Sequence, residues 1–271
     1  MKLSLAFSPC PNDTFMFDAL VNHKIDTEGF EFEITLDDIE SLNRKALDHC
    51  FDITKISFSA LLHIHSQYAL LQSGAALGVN CGPLFICKKG AKNKITSNSL
   101  IGIPGKYTTA NSLFSLAYPS YNNKTQLVFS EIEQALIEGE IDAGVVIHEN
   151  RFTYQDKGLQ KIKDLGEFWQ TTTNLPIPLG GIAISRKIDP IIQIKFQKLL
   201  KKSIQFAFDH PKSSEPFVKK YAQEMNAEVR NKHIQLYVNE YSLNLGSLGK
   251  KAVNYLFNHN NQSCQNLFVD L

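Results

Sequence analysis

The chain has 271 residues, of which 43% are hydrophobic and 20% charged. That balance excludes disorder and fibrous architecture, and it supplies enough apolar side chain for one large or two small domains. With 28 Lys and Arg against 27 Asp and Glu, the net charge is +1, so there is no basic excess for nucleic acid and no acidic excess for a basic partner.

Cys10, Cys50, Cys81, Cys87 and Cys264 are odd in number and include no C-x-x-C pair. Free thiols in a reducing compartment are expected, not a disulfide scaffold or a zinc knuckle. The apolar run Leu3–Phe7 is far shorter than a signal-peptide core. No stretch approaches about 18 apolar residues, so a cytoplasmic protein without a membrane span is expected.

Leu3–Phe7, broken by Pro9 and Pro11, reads as a buried strand entering a turn. Phe15, Phe17, Ala19 and Leu20 then predict a helix capped by Asn12, Asp13 or Thr14. Phe30–Leu36 alternates as a strand with one wet face. Asp37-Asp38-Ile39-Glu40 starts a helix with Ile39, Leu42 and Ala46 on its buried stripe. Phe51–Ile56 is the next strand, and Ser57-Phe58-Ser59 opens another helix. Leu84–Cys87 is a strand, and Lys88–Asn98 a polar connection. Leu100–Ile103 is a strand followed by Pro104-Gly105, and Thr108-Thr109-Ala110 opens a helix to about Tyr118.

Ser130-Glu131-Ile132-Glu133 reads as a capping box, with Gly139 as the C-cap. Ala143–Ile147 is an apolar strand ending at His148. The segment around Trp169 and Thr171–Thr173, leading to Pro178, reads as an irregular crossing between lobes. Asp189-Pro190 starts a long helix that ends at His210-Pro211. Helices over Glu215–Met225, Asn231–Leu243 and Leu248–Phe257 complete the chain.

Two stretches resemble each other. Ala46–Ser57 and Ala135–His148 each run helix end, turn, Asp, strand. Upstream of each lies another matched pair, Leu5–Thr14 and Leu100–Thr109, reading strand, loop, helix. The repeat predicts two α/β lobes. Residues 1–90 and 180–271 would form the first lobe, holding both termini, and residues 91–179 the second. The chain would cross between them near Cys87–Asn98 and near Thr171–Ala183.

Ligands of α/β sheets sit outside the carboxyl ends of the strands. Four strand ends qualify: Ser8–Thr14, Thr54–Ser59, Gly105–Ala110 and Ile147–Arg151. If the lobes face one another, these loops line one cleft. Asn12 and Thr14 in the first loop are candidate substrate contacts. Thr108, Thr109 and the following amides form a helix N-terminus, which either binds an anion or is simply capped. Ser57 is a further contact, with Lys55 as a cation for a carboxylate or as a solvated strand-edge lysine. His148 ends a strand without polar residues and is either a general base or a structural histidine. Glu149 and Arg151 follow it and could orient it or the substrate.

Other features point away from chemistry. His63 and His65 are two apart on a predicted helix and do not share a face. Cys10 has no identifiable histidine partner. Gly180-Gly181 lacks the strand, G-x-G-x-x-G and helix of a dinucleotide site.

Ser8-Pro9-Cys10-Pro11-Asn12-Asp13-Thr14-Phe15 resembles the N-terminal signature of the 1,4-dihydroxy-6-naphthoate synthases of the futalosine route to menaquinone. Asp52–Ser57, Gly102–Ala110, Val146–Glu149 with Arg151–Tyr154, and Leu175–Gly181 are similar to that family's later motifs, in the same order. Asn150 departs from the pattern, standing where a small residue such as Gly is expected. The resemblance implies a two-lobed periplasmic-binding-protein type II fold with a central cleft. It implies a carbon–carbon lyase that converts cyclic dehypoxanthinylfutalosine, a small anionic substrate, to 1,4-dihydroxy-6-naphthoate without cofactor or metal. By resemblance His148 is the general base, and Lys55, Ile56, Ser57, Thr109 and Ala110 contact substrate. The rivals are a solute-binding protein without chemistry and the chorismate dehydratase of the same pathway. The sequence does not fix the oligomeric state.

Overall fold

The computed structural model describes residues 1–79, 81–148, 150–223, 226–259 and 266–269. Glu149, Met225 and Cys264 lie outside the described residues.

The chain opens on β1 (Lys2–Phe7), whose Leu3, Leu5 and Phe7 are buried. Pro11 at the first position starts α1 (Pro11–Val21), which is buried from Pro11 through Leu20. There follow β2 (Glu31–Leu36), α2 (Ile39–Leu47), β3 (Ile53–Ser57), α3 (Phe58–Ile64), β4 (Tyr68–Leu70) and β5 (Ala76–Gly78). Asp38 caps α2, accepting from the amides of Glu40 and Ser41 at 2.9 and 3.1 Å.

Next come β6 (Leu84–Lys88), β7 (Ile101–Ile103), α4 (Thr109–Ala117), β8 (Lys124–Gln126), α5 (Ile132–Glu138) and β9 (Ala143–Val146). After them are α6 (Asn150–Thr153), β10 (Leu159–Asp164) and α7 (Leu165–Thr173). The chain closes with β11 (Ile177–Ser185), α8 (Pro190–Asp209), α9 (Pro211–Tyr221), α10 (Ala227–Tyr237), α11 (Glu240–Leu243) and α12 (Gly246–His259). No helix among the described residues is long and apolar enough to cross a membrane.

Two compact units result: Met1–Gly78 with Pro178–Leu271, and Val79–Ile177. The first holds a sheet in the order β2-β1-β3-β11-β4, with β5 also paired to β11. The second holds the order β8-β7-β9-β6-β10. In the first, β1 runs parallel to β2 and β3, while β11 is antiparallel to β3 and β4. In the second, β7 runs parallel to β8 and β9, while β6 is antiparallel to β9 and β10. Each sheet is therefore a βαβ arrangement completed by an antiparallel strand from elsewhere in the chain. The main core of the first unit packs Phe7, Phe17, Phe196 and Leu200. That of the second packs Ile86, Ile132, Leu136 and Val146.

The matched aspartates of the repeat have one structural job. Asp52 Oδ2 accepts from the Ser4 amide at 2.9 Å, and Asp142 Oδ2 accepts from the Leu100 amide at 2.7 Å. Each ties the start of one central strand to its parallel neighbour.

Several expectations change. The cap of α1 is Cys10, without a side-chain cap bond, and not Asn12, Asp13 or Thr14. The helix expected over Asn231–Leu243 is the two helices α10 and α11. β6 joins β9 and β10 in the second sheet, so the first boundary falls at Gly78–Val79 and not at residue 90. An apolar strand carries no local mark of which sheet it will enter. The second boundary falls at Ile177–Pro178, two residues before the expected position. The segment around Trp169 is the helix α7, capped by Asp164. The Ser130 capping box does not form: Glu131 is the N-cap and has no side-chain cap bond, although Gly139 does close α5 with a left-handed φ of 84°.

Candidate active site

In the first unit, the carboxyl ends of β1 and β3 share one edge of the sheet, because the two strands are parallel. Lys55 points from β3 to Asp13 in the first turn of α1, with Nζ 2.5 Å from Oδ1. Both are buried, Lys55 at 5% exposure and Asp13 at 0%. The solvated-lysine reading of Lys55 is thereby overturned, and its ammonium is engaged inside the unit. Asp13 Oδ1 also accepts from Asn12 Nδ2 at 2.8 Å. Oδ2 accepts from the Ser8 amide at 3.2 Å and from Ser8 Oγ at 2.6 Å. Three donors plus a cation offset the cost of burying this carboxylate.

Asn12 is fixed from its other side by His233 of α10, with Nε2 2.9 Å from Oδ1. Since Asn12 Nδ2 donates to Asp13, Oδ1 can only accept, which places a proton on His233 Nε2. Thr14 Oγ1 donates back to the Cys10 carbonyl at 3.0 Å. Ser57 is bracketed by Asn43 of α2: its amide donates to Asn43 Oδ1 at 2.9 Å, and its Oγ accepts from Asn43 Nδ2 at 3.0 Å. Ile56 is fully buried in the strand.

The Gly180-Gly181 pair has a packing role. β11 sets Gly180 opposite Ser57, and a Cβ on Gly180 would lie 2.7 Å from the Ile56 carbonyl oxygen. Glycine is needed for that close approach.

In the second unit, β7 and β9 are likewise parallel, so Thr108–Ala110 and His148 lie past the same edge of one sheet. Thr108 is the cap. Its Oγ1 accepts from the Asn111 amide at 3.2 Å and donates to the Gly105 carbonyl at 2.8 Å. Thr109 and Ala110 are the first two residues of α4, both buried. Phe85 packs against Phe114 of α4 with ring centroids 4.9 Å apart, fixing the helix on the sheet.

His148 is half-buried and takes a φ of 57°. That conformation costs a non-glycine residue roughly 1–2 kcal/mol, and such residues concentrate at functional sites. The Phe129 ring meets the imidazole at 68°, with centroids 4.8 Å apart. Arg151 lies on the other side of the turn and pairs with Asp164 at 3.3 Å. Cys81, near this pair, is pushed up to about 12 by burial, with Arg151 opposing the shift, so it stays a thiol. Among the described residues no three or more His, Cys, Asp or Glu are grouped to hold a metal.

Residues 3–262 match the profile of a family described as menaquinone biosynthesis. The chain belongs to that family. A Streptomyces coelicolor relative named 1,4-dihydroxy-6-naphthoate synthase is 38% identical over 256 residues, covering 93% of this chain and 90% of the relative. One of the same name from Thermus thermophilus is 37% identical, covering 94% and 92%. Among solved structures, an Archaeoglobus fulgidus protein superposes with a TM-score of 0.90 at 34% identity, covering 96% of this chain and 97% of that one. A Candida albicans protein described as having the generic periplasmic binding protein fold gives a TM-score of 0.67 at 12% identity, covering 94% and 90%. This menaquinone-biosynthesis protein therefore has an α/β periplasmic-binding-protein-like fold.

Strand-end reasoning reached the loops that carry Asn12, Thr14, Lys55, Ser57, Thr109 and His148, the family resemblance added Ile56 and Ala110, and both missed the residues that hold them. Asp13 had a signal, being a charge in the first turn of a helix rich in large apolar side chains. Asn43 looked like one more helix residue. His233 lies 221 positions from Asn12, and no local pattern links the two.

Proposed function

We propose that this protein is a carbon–carbon lyase that converts cyclic dehypoxanthinylfutalosine to 1,4-dihydroxy-6-naphthoate, with His148 as general base. The observation that carries the reading is a histidine in a left-handed turn at the end of β9, in a chain related over nine-tenths of its length to synthases of that name. The base removes a proton, and elimination then expels the remainder of the former ribose. Aromatisation of the second ring helps drive the step. Thr109 and Ala110 at the start of α4 offer amides and a positive helix end to an anionic oxygen. Ser57 contributes a hydroxyl whose acceptor side is already taken by Asn43, leaving its proton for an oxygen of the substrate.

The test offers the purified protein the cyclic futalosine derivative and chorismate side by side. Turnover of the first alone is expected. Turnover of chorismate, or binding without turnover of either, would replace the reading with one of its rivals. His148→Asn then examines the base. Asparagine tolerates the left-handed conformation, so the turn is retained, but it cannot accept a proton at neutral pH. A loss of kcat of at least about 10²-fold with binding retained is expected. Near-wild-type turnover would show that the base lies elsewhere.

A further inference from the structure

His148 leaves β9 in a conformation that a non-glycine residue keeps only when its neighbours over-determine it. Two ties within the second unit lie just after it in the chain. On one side, Asn150 Nδ2 donates to Glu133 Oε2 at 2.6 Å. Glu133 is 2% exposed and sits in the first turn of α5, where the helix dipole favours a carboxylate. Lys157 Nζ donates to the same oxygen at 2.6 Å and supplies the countercharge. The segment leading into α5 also provides Phe129, the ring that meets His148 edge-on.

On the other side, Arg151 donates to the Gly82 carbonyl just ahead of β6 and pairs with Asp164. Asp164 is itself fixed, accepting from the amides of Gly166 and Glu167 at 2.8 and 3.1 Å as the cap of α7. Asn150 and Arg151 are adjacent in the chain, yet one is tied to α5 and the other to the β10–α7 junction. The start of α6, two residues after His148, is thus held from two sides.

We infer that the Glu133–Asn150 and Arg151–Asp164 pairs form a two-sided clamp, and that Glu133 and Asp164 are positioning residues that hold the His148 imidazole where it takes its proton. The inference rests on the reading of His148 as general base. A base displaced by about 1 Å loses on the order of 10² in rate, so a clamp of this kind acts on kcat and leaves substrate affinity alone.

The experiment measures kcat and KM on cyclic dehypoxanthinylfutalosine, with the His148 ring resonances followed by NMR. Asp164→Asn keeps an oxygen for the α7 cap but withdraws the charge from Arg151. Asn150→Ala opens the other side from a half-buried position and carries the test if the Asp164 variant fails to fold. Each is expected to lower kcat at least about 10-fold, to leave KM within about 2-fold, and to shift the His148 resonances. Glu133→Gln keeps an acceptor for Asn150 and should restore most of what Glu133→Ala loses. Adding Asn150→Ala to His148→Asn should cost nothing further in kcat, because the clamp acts through the imidazole.

Full activity in Asn150→Ala and Asp164→Asn, with His148→Asn inactive, overturns the clamp and spares the base. Additive losses in the double variant also overturn it, since the pairs would then act elsewhere. Full activity in His148→Asn overturns the base reading and the clamp with it.

Discussion

The two units share one strand order and differ in what they place at matched positions. Leu5 pairs with Ile53 in the first sheet as Ile101 pairs with Ala143 in the second. Counting forward from those pairs, Lys55 corresponds to Val145, and Phe58 to His148. At the first of these positions one unit buries an ion pair and the other buries an aliphatic side chain. At the second, one unit starts a helix and the other turns through a left-handed histidine. The shared frame sets where loops emerge, and the residues at the strand ends set what those loops can do.

The largest expected effect breaks this contrast at its most buried point. Lys55→Met makes the position resemble Val145, but it leaves the Asp13 carboxylate without its cation in a site of 0% exposure. A loss of about 3–5 kcal/mol in unfolding free energy is expected from chemical denaturation, because an uncompensated buried charge remains. Combining Lys55→Met with Asp13→Asn removes that charge and should recover at least about 2 kcal/mol of the loss. Equal stability of the single and double variants would show that the pair is not coupled.

The frame was legible in the sequence because the repeat is made of long-period signals. Helix stripes, an Asp ahead of an apolar strand, and a polar loop after it recur in order. What was not legible has identifiable physical causes. β4, β5 and β8 have three residues each, too few to show alternation. β11 contains Pro178 and two glycines, which interrupt the pattern of a strand. Its ladder with β3 begins only at Gly180, past the proline, and its glycines admit the neighbouring strand. Ser130 and Glu133 had capping-box spacing, but the structure turns Glu133 to Asn150 and Lys157. Of the candidate site, the strand-end loops were legible because position alone selects them. The groups that fix them, His233, Asn43 and Glu133, come from helices whose docking depends on tertiary packing.

The matched aspartates sharpen the comparison at a smaller scale. Asp52 Oδ2 accepts from both the amide and the hydroxyl of Ser4, while the Asp52 amide donates back to Ser4 Oγ at 2.8 Å. Asp142 accepts from the Leu100 amide in a more exposed setting. Asp52→Ala is therefore expected to cost about 1–3 kcal/mol, and Asp142→Ala about 0.5–1 kcal/mol, because water can replace the carboxylate at Leu100. Urea midpoints at matched m-values check the order. A larger loss for Asp142→Ala would contradict the equivalence drawn between the two strand starts.

A further contrast appears in alkali, where burial holds Tyr68 in the first unit and Cys81 in the second in their neutral forms. Burial pushes the Tyr68 phenol up to about 12 from 10.0, and its proton is donated to the Phe51 carbonyl at 2.6 Å. Burial pushes the Cys81 thiol up to about 12 from 9.0. Both folded-state values lie above the unfolded ones, so the folded chain binds more protons over these ranges and stability falls as pH rises. The Cys81 contribution is complete below about pH 9 and is lost toward pH 12, and that of Tyr68 is lost from about pH 10. Urea midpoints at roughly pH 8 and roughly pH 10.5 measure the decline. Cys81→Ala should flatten the part that begins near pH 9. Tyr68→Phe should flatten the later part and lower stability at neutral pH by about 1 kcal/mol, the net worth of one neutral hydrogen bond. If the first unit unfolds separately, Tyr68→Phe moves one step and Cys81→Ala the other. A pH slope unchanged in both variants would mean that neither acid is kept neutral by burial.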